Sequence, residues 1–365
     1  MQNKIPSVHI MGSRLFGGAE HFYVRLLRIL RDADSPVTAI NRPGSPVANE
    51  LADDNIQQIH FPMANGWDLW SVWRLRETCN ARGQCIVQTY MGRATRLTRL
   101  PSNTPAVHVA RLGEYYKIDG YYRHAHAWIG NTRGICDYLV KSGLPAKRVF
   151  YIGNFVPEPS LVDETSKHAA LLKYDIRQDA WIIFSLGRLV DVKGFDDLLR
   201  AMALLPREIA GKPLMLVVAG DGPHASQLQA HALELGLQDR VRWLGWQNNP
   251  DPFYALADVF VCPSRHEPLG NVILEAWSHG LPLISTASLG ATELVEHETT
   301  GLLCPCSDPE ALARQILALL SATVPERKKL GDAGRTFLHS QFSAASIRDA
   351  YLALYAQLMA ERGNY

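Results

Sequence analysis

Two carboxylates eight residues apart, Glu267 and Glu275, flank a loop that leads into an apolar run typical of a helix. The loop becomes the helix around Leu269, Gly270 and Asn271. The amide groups at a helix N-terminus carry a partial positive charge that suits a phosphate, and glycine lets a ligand approach the backbone. An acid on each side of a phosphate site indicates a nucleotide sugar, with sugar hydroxyls at Glu267 and ribose hydroxyls at Glu275. The alternative is a capped helix with two surface acids, because glutamate is rarely buried.

Basic residues and glycines follow other segments that are predicted to be strands. Arg188 and Lys193 lie five positions apart across a turn, which suits two cations clamping a diphosphate, although each could be an ordinary surface base. Gly17 and Gly18 connect a short apolar strand to a helix, and Arg14 adds a nearby cation. This segment predicts a ligand close to the backbone, and a tight strand-to-helix turn is the alternative. It does not match G-x-G-x-x-G, so a nicotinamide cofactor is not indicated.

Two sets of large side chains recur at a spacing of three in the first half of the chain. The basic set is Arg93, Arg96 and Arg99, and the aromatic set is Trp67, Trp70 and Trp73. The arginines can share one helical face, either as a solvated face or as a patch for an anionic acceptor or an anionic membrane surface. The tryptophans are predicted to lie on a helix and to pack in the core, with an interfacial surface as the alternative.

Length and charge predict two domains with different ligands. The chain has 365 residues, of which 47% are apolar and 20% charged. Residues 1–160 hold 19 lysines and arginines against 12 acids, a net +7, whereas residues 161–365 hold 18 against 24, a net −6. This asymmetry does not by itself indicate nucleic acid. The expected domains are residues 1–158, joined by a final helix at about 343–365, and residues 159–342, with a linker at 153–160.

Neither targeting nor metal binding is indicated by the sequence. The first residues lead directly into a strand without the apolar segment of a signal peptide, and no stretch reaches the length of a membrane span. Cys304 and Cys306 do not have metal-ligand spacing. The six cysteines are therefore expected to be free thiols in a reducing cytoplasm.

Strand-like and helix-like segments alternate in both halves, which predicts parallel α/β sheets covered on both faces. The predicted strands are 7–11, 37–41, 56–61, 85–88, 106–110, 127–131, 149–152, 181–186, 214–219, 241–244, 259–262 and 282–285. The predicted helices include 46–54, 133–142, 195–205, 225–235, 251–257, 272–279 and 343–361. Ligands of such sheets bind beyond the carboxyl ends of the strands.

Seven segments occur in an order that resembles glycosyltransferase family four. They are GGAE, SLGRLVDVKGFDDLL, VVAGDGP, VRWLGW, the stretch with Glu267 and Glu275, HGLPLIST and TGLL. The resemblance covers nearly the whole chain and is strongest from Trp181 to Pro305. It implies the GT-B fold, in which two Rossmann-like domains face each other across a cleft and the last helix crosses back to the N-terminal domain. It also implies a retaining transferase whose C-terminal domain binds a nucleotide-diphosphate sugar and whose N-terminal domain binds the acceptor.

The resemblance also implies roles for individual residues. Arg188 and Lys193 would hold the diphosphate and stabilise charge on the leaving group, and Glu267 would lie beside the donor sugar. Contacts with the donor are implied for Gly17, Gly18, Gly187, Leu269, Gly270, Asn271, Val272 and Glu275. Arg14, Arg93, Arg96 and Arg99 are candidates for the acceptor. No metal or other cofactor is implied.

One position departs from the family pattern. The family often has a histidine directly after the strand predicted at 106–110, and this chain has Arg111 there. Arg111 is therefore a candidate catalytic residue, while His108 lies inside the strand and is expected to be structural.

The function that the resemblance implies is retaining transfer of a hexose from a nucleotide diphosphate, with uridine as the commonest base in the family. The acceptor would be a glycan or a lipid-linked glycan, as in bacterial lipopolysaccharide or surface polysaccharide biosynthesis. The site of action would be the cytoplasm or the inner face of the membrane, where the protein would bind peripherally. Two alternatives remain: a nucleotide-sugar-binding protein without turnover, suggested by Arg111, and a nucleotide-sugar epimerase.

Overall fold

Two separate parallel sheets organise the chain in a computed structural model that describes residues 4–363. The chain divides into a first unit, Met1–Phe155 with Phe342–Tyr365, and a second unit, Val156–Gln341. Residues 1–3 and 364–365, which the sequence-based domains include, lie outside the described residues. Each unit is a doubly wound, Rossmann-like α/β domain, which confirms the predicted fold class.

Strands and helices alternate through most of the chain. The strands are β1 (Ser7–Met11), β2 (Val37–Asn41), β3 (Gln57–His60), β4 (Ile86–Tyr90), β5 (Val107–Leu112), β6 (Ala127–Gly130), β7 (Val149–Tyr151), β8 (Trp181–Leu186), β9 (Glu208–Ile209), β10 (Lys212–Ala219), β11 (Val241–Gly245), β12 (Val259–Cys262), β13 (Leu283–Thr286) and β14 (Leu302–Cys304). The helices are α1 (Gly18–Asp32), α2 (Pro46–Glu50), α3 (Leu69–Asn80), α4 (Met91–Leu97), α5 (Arg133–Lys141), α6 (Glu164–Lys173), α7 (Phe195–Leu204), α8 (Ala225–Glu234), α9 (Asp251–Leu256), α10 (Asn271–Ser278), α11 (Leu289–Leu294), α12 (Pro309–Ser321), α13 (Val324–Gln341) and α14 (Ala344–Gly363).

The sheet of the first unit has the strand order β3-β2-β1-β4-β5-β6-β7. Its neighbouring strands run parallel, and β1 pairs with both β2 and β4. The chain proceeds outwards from β1 to β3 and then returns to the other side of β1 with β4. The gap between β1 and β4 is therefore the topological switch point, beside which ligands of such sheets commonly bind.

The last helix, α14, completes the core of the first unit. Its Tyr351 and Tyr355 are fully buried, in one cluster with side chains from α1, β4 and β5. The Tyr355 hydroxyl donates to Gln88 Oε1 at 2.7 Å. Buried hydroxyls need such partners, because an unmade hydrogen bond leaves the desolvation cost of the group uncompensated. The core of this unit thus depends on residues from both ends of the chain.

The sheet of the second unit has the order β11-β10-β8-β12-β13-β14, with β9 antiparallel to β10. Strand β8 lies at the centre and pairs in parallel with β10 and β12. The strands near the centre are apolar almost throughout, as expected for a parallel sheet buried on both faces. The switch point of this sheet lies between β8 and β12.

Several sequence-based expectations about elements were wrong. The predicted helix 46–54 ends at Glu50, and Trp67 precedes α3 instead of lying on it. Arg99 does not share a helical face with Arg93 and Arg96, because α4 ends at Leu97 and the residue before Pro101 disfavours helical geometry. Four elements were not expected from the sequence: α6, β9, α11 and β14.

Cysteines and helix lengths agree with the sequence analysis within the described residues. All six cysteines are free thiols. Among residues 4–363, every helix is either too short or too polar to span a bilayer.

Candidate functional site

The switch point of the second sheet brings two sequence-predicted loops to one edge. Strands β8 and β12 are in register at Ile183–Val259 and Phe184–Phe260. The chain leaves β8 into Gly187 and Arg188, and it leaves β12 into the loop that carries Glu267. Because both strands are parallel, both loops emerge at the carboxyl edge, and the Arg188 side chain is exposed there.

Gly194 holds the two loops in direct backbone contact. Its φ of 63° is left-handed, and a Cβ atom at this position would lie 2.1 Å from the carbonyl oxygen of Pro263. Glycine is therefore required by both conformation and space. The amides of Arg265 and His266 donate to the Val192 carbonyl at 2.9 and 3.1 Å. The loop after β8 and the loop after β12 are thus held against each other by backbone contacts.

Arg265 fastens the same loop to the first turn of α7. Its Nε donates to Asp197 Oδ2 at 2.8 Å, and one Nη donates to Asp196 Oδ2 at 2.6 Å. The hydrogen bonds to Asp197 and Asp196 raise the pKa of Arg265 above its usual range. Sequence reasoning missed this residue, because acids in the first turn of a helix are already accounted for by the helix dipole.

Lys193 and Glu267 form an ion pair across the switch point. The Lys193 ammonium donates to Glu267 Oε2, and the Ser264 hydroxyl donates to the same oxygen at 3.4 Å. The Lys193 side chain is 24% exposed and the Glu267 side chain 12% exposed. A mostly buried ammonium and carboxylate are thereby placed where a polar, anionic ligand could contact both.

The N-terminus of α10 is shaped by Gly270. This residue precedes the helix with a φ of 93°, and its carbonyl accepts from the amides of Ile273 and Leu274. A Cβ atom at Gly270 would lie 3.4 Å from Glu267 Cγ, so Glu267 lies against the start of the helix. The first-turn amides of a helix have no acceptors within it and attract anions.

The face of α10 that is not in the core carries the second carboxylate. Asn271, Val272 and Glu275 are half-buried, whereas Leu269 and the helix positions between them pack inward. On the inner side, Trp277 is fully buried and donates to the Thr300 carbonyl at 2.9 Å. The anchored indole fixes the rotation of α10, so that Glu275 is presented on the same side as the first turn.

Tyr254 orients the Glu275 carboxylate through a hydrogen bond. Its hydroxyl donates to Glu275 Oε2 at 3.3 Å, and the ring is buried. Burial raises the pKa of Tyr254 well above its usual value, and the Glu275 carboxylate raises it further. Tyr254 therefore remains a hydrogen-bond donor. Nothing in the sequence beyond a general apolar pattern pointed to this residue.

The remaining candidates for the donor lie in the first unit. Gly17 precedes α1, and its amide donates to Glu20 Oε2 at 3.0 Å, while Gly18 is the exposed first residue of the helix. Arg14 is exposed in the loop between β1 and α1. As expected from the sequence, these residues belong to the first unit, whereas the other donor candidates belong to the second.

The arginines near α4 have separate environments. Arg93 is half-buried and donates to the carbonyls of Gly12 and Met63 at 3.2 and 3.4 Å. The Arg96 guanidinium stacks 3.7 Å from the centre of the Trp67 ring. Arg99 is exposed beyond the end of the helix. Each of the three arginines therefore has its own set of contacts.

The tryptophans of this region are not in the core. Trp67 is 76% exposed, Trp70 51% and Trp73 57%, and Leu69 beside them is 78% exposed. The expectation that they pack in the core was wrong, because the buried positions of α3 are Ser71, Leu75 and Cys79 instead. We call these four exposed side chains the tryptophan surface.

The sequence suggested that Arg111 directly follows a strand. It lies within β5 instead, because this strand continues to Leu112. Its side chain is buried: Nε donates to the Tyr351 hydroxyl at 3.0 Å, Nη2 donates to Asn154, and the guanidinium stacks 3.8 Å from the Phe22 ring centre. These contacts join β5 to α1 and α14.

His108 is buried inside β5 and bonded to Thr89, and burial lowers its pKa well below the usual value.

Replacing Arg111 with methionine is expected to reduce stability and to spare ligand binding by the second unit. Loss of hydrogen bonds from a buried charged donor should lower the free energy of unfolding by about 3 kcal/mol. Arg133→Met is the matched control, since Arg133 stacks on Tyr151 but is exposed, and it should change stability by less than about 0.5 kcal/mol. Urea denaturation and nucleotide titration measure the two effects. A loss of nucleotide affinity without loss of stability would contradict the structural role.

Comparison with known proteins identifies similar chains along nearly the full length. A family model described as glycosyl transferases group 1 matches residues 167–337. A lipopolysaccharide core biosynthesis glycosyltransferase of Rhizobium meliloti is 33% identical over 341 residues, which cover 93% of this chain and 96% of that protein. A second lipopolysaccharide core biosynthesis glycosyltransferase of the same organism is 32% identical, covering 95% of this chain and 97% of that protein.

A solved structure shows the same fold at lower identity. The crystal structure of Anabaena HepE in complex with UDP and glucose superposes with a TM-score of 0.83 at 19% identity, covering 97% of this chain and all of that chain. At this identity the similarity concerns the fold alone.

Proposed function

Because this chain belongs to the group 1 glycosyltransferases, we propose that it transfers a hexose, with retention, from a uridine diphosphate sugar to an acceptor of lipopolysaccharide core biosynthesis. The observation that carries the proposal is the Lys193–Glu267 pair at the switch point of the second sheet, beside Arg188 and the N-terminus of α10. Cations, helix amides and a carboxylate are the groups that a diphosphate and a sugar require.

The donor and acceptor are inferred from different sources. The uridine base is supported by the UDP held by the HepE structure. The acceptor class is supported by the two Rhizobium meliloti relatives, whose names refer to lipopolysaccharide core biosynthesis. A thermal-shift panel of nucleoside diphosphates and nucleotide sugars tests the donor, because a ligand that binds the folded state raises its stability. The proposal for the donor is contradicted if no nucleotide raises the melting temperature.

In the proposed reaction, the bond between the anomeric carbon and the diphosphate oxygen breaks, and a bond to an acceptor hydroxyl oxygen forms on the same face. The hydroxyl proton passes to the departing diphosphate, so the products are a glycoside and a nucleoside diphosphate. Arg188 and Lys193 stabilise the negative charge that develops on the leaving group. Glu267 holds sugar hydroxyls, and its pairing with Lys193 fixes both side chains before the donor binds.

In this proposal, the backbone of α10 and the two acids that flank it contact different parts of the donor. The amides of the first turn, at Asn271 and Val272, meet the diphosphate, and Gly187 and Gly270 leave space beside the backbone. Glu275, oriented by Tyr254, accepts hydrogen bonds from the ribose hydroxyls.

Glu275→Ala is expected to weaken UDP binding by about 1.5–3 kcal/mol, because hydrogen bonds to a charged acceptor are lost. Isothermal titration with UDP measures the change. Tyr254→Phe should give a smaller loss, since it removes only the group that orients the carboxylate. Glu310→Ala, at the exposed first turn of α12, is the control and should leave affinity unchanged. Equal affinity of Glu275→Ala and the unchanged protein would contradict the ribose assignment.

We also propose that transfer needs no metal ion. Within the described residues, no three histidine, cysteine, aspartate or glutamate side chains are grouped so that they could hold one. Lysine, arginine and helix amides supply the positive charge at the diphosphate instead. Activity that is lost in EDTA and restored by magnesium or manganese would contradict this point.

The tryptophan surface supports a peripheral membrane location for the reaction. Tryptophan is favoured at membrane–water interfaces, and large exposed apolar patches mark binding surfaces. Arg96 stacks on Trp67, and Arg74 lies 5.5 Å from the centre of the Trp73 ring, so cations accompany the indoles. Such a surface suits an anionic leaflet, where each cation contributes about 1 kcal/mol. The acceptor would then be lipid-linked.

Replacing Trp67 and Trp70 with serine is expected to reduce binding to phosphatidylglycerol-containing vesicles at least about tenfold, since each buried aromatic side chain contributes about 1.5–3 kcal/mol. Co-sedimentation at low and high salt measures binding. Leu233→Ser is the control, because Leu233 is 63% exposed on the second unit. If the unchanged protein stays in the supernatant at low salt, the acceptor is soluble and the membrane proposal is wrong.

The two alternative functions receive less support. The idea of a binding protein without turnover rested on Arg111, and the bonds of Arg111 to Tyr351 and Asn154 give that position a structural reason. The similar chains are transferases by name, which does not favour an epimerase.

A further inference from the structure

Three arginines follow three adjacent strands of the first sheet. Arg42 comes directly after β2, Arg14 lies three residues after β1, and Arg93 lies on α4, which follows β4. The strand order β2-β1-β4 places all three at one carboxyl edge, and the switch point lies between the strands that precede Arg14 and Arg93. This is the edge at which a sheet of this class binds ligands.

Two of the arginines meet on a single carbonyl oxygen. Arg42 and Arg93 each donate an Nη1 hydrogen bond to the Met63 carbonyl, and Arg93 also donates to the carbonyl of Gly12. Met63 is fully buried and has a φ of 40°, a left-handed conformation that costs a non-glycine residue roughly 1–2 kcal/mol. Such strain persists where the surrounding contacts hold it, and it is common at ligand sites.

The positive charges of this group are not balanced by ion pairs. Within residues 4–363, none of Arg14, Arg42 and Arg93 lies within salt-bridge distance of a carboxylate. Burial lowers the pKa of Arg42, and the charges of Arg14 and Arg93 lower it further, against a smaller opposite effect of Asp68. Guanidinium groups in a fixed fork recognise phosphate and carboxylate oxygens. Two of them meet on one carbonyl oxygen and the third lies at the same sheet edge, so their mutual repulsion is relieved when an anion binds.

We propose that Arg14, Arg42 and Arg93 form a subsite for an anionic group, a phosphate or a carboxylate, carried by the acceptor sugar. This inference rests on the proposed function, since it assigns the ligand of the first unit to the acceptor. It adds Arg42, which the sequence analysis did not single out, and separates Arg93 from Arg96 and Arg99. Arg93 and Arg42 hold the anion in a position fixed by the Met63 carbonyl, while the exposed Arg14 closes on it from the β1 loop.

The test uses the full chain saturated with UDP, so that phosphate sites of the second unit are already filled. Glucose 6-phosphate, glucuronate and glucose are then titrated, and binding is followed by ligand-observed NMR. At least one charged sugar should bind about tenfold or more tightly than glucose. A preference for glucose 6-phosphate identifies a phosphate site, and a preference for glucuronate identifies a carboxylate site. Equal binding of all three sugars overturns the proposal.

Variants assign the preference to the three arginines. Arg14→Gln, Arg42→Gln and Arg93→Gln should each reduce it about tenfold, whereas Arg123→Gln, an exposed arginine of the same unit, should retain it. Because Arg42 also holds the Met63 loop, Arg42→Lys is included, and it should recover part of the preference by restoring the charge. A preference that survives in all three glutamine variants overturns the proposal. UDP binding in every variant separates this outcome from failure of the proposed function, in which UDP would not bind at all.

Discussion

Lys193→Met should lower kcat about 10²–10³-fold, the effect typical of removing one group that stabilises charge in a transition state. Its ammonium pairs with Glu267, and it is proposed to bind the leaving diphosphate during transfer. The substitution should also lower the free energy of unfolding, because the Glu267 side chain is only 12% exposed and would lose its counter-ion. A single variant therefore confounds the structural and catalytic roles of the lysine.

A double-mutant cycle separates the two roles. Lys193→Met combined with Glu267→Gln removes both charges, so stability should return towards that of the unchanged protein while turnover stays low. Lys167→Met is the matched control, since Lys167 and Glu164 form an ion pair at the surface of the same unit, and it should change neither quantity by much. Chemical denaturation and a coupled assay of released nucleoside diphosphate give the two readouts. Turnover that recovers together with stability would show that Lys193 acts only through folding.

Gly194→Ala should disrupt the site as a whole. Alanine in the left-handed conformation costs about 1–2 kcal/mol, and its Cβ would in addition lie 2.1 Å from the Pro263 carbonyl oxygen. The two loops must separate, which breaks the hydrogen bonds of Arg265 and His266 to Val192 and displaces Lys193 from Glu267. We expect a loss of more than about 3 kcal/mol in stability and a fall of at least about tenfold in UDP affinity.

Gly236 supplies a control with the same backbone conformation. Its φ is 69°, and a Cβ atom there would meet no atom within 4 Å. Gly236→Ala should therefore show only the conformational cost of about 1–2 kcal/mol, with unchanged UDP affinity. Thermal unfolding and UDP titration compare the two variants. Similar losses in both would mean that loop contact at Pro263 does not matter for the site.

The central strands and the loops after them could be predicted from sequence because their signals are local. The limits of β8 and β12 are as expected, since each is an apolar run that ends at glycine or proline. The positions of Lys193 and Glu267 then follow from strand order. Their direct pairing does not, because it depends on the close contact of Gly194 with Pro263.

Residues whose roles depend on distant partners were not predictable in the same way. Arg111 became a candidate because it stands where the family often has a histidine, and no sequence signal pointed to its hydrogen bond with Tyr351, 240 positions later. Tyr254 supports Glu275 from another helix, and no spacing in the sequence links the two. The tryptophans show the converse error: their periodicity suggested a buried face, whereas smaller residues occupy the core side of α3.

The return of α14 to the first unit sets the order in which the protein can fold during synthesis. The second unit is one continuous segment, Val156–Gln341, and all of its strands have been translated before α14 begins. The first unit is made earlier but lacks Tyr355 and Tyr351, the partner of Arg111, until α14 has been synthesised. Since domains fold as units, the first unit remains incomplete at a time when the second unit can already fold. A nascent chain that stalls before residue 344 would therefore present a finished second unit and an open, chaperone-accessible first one.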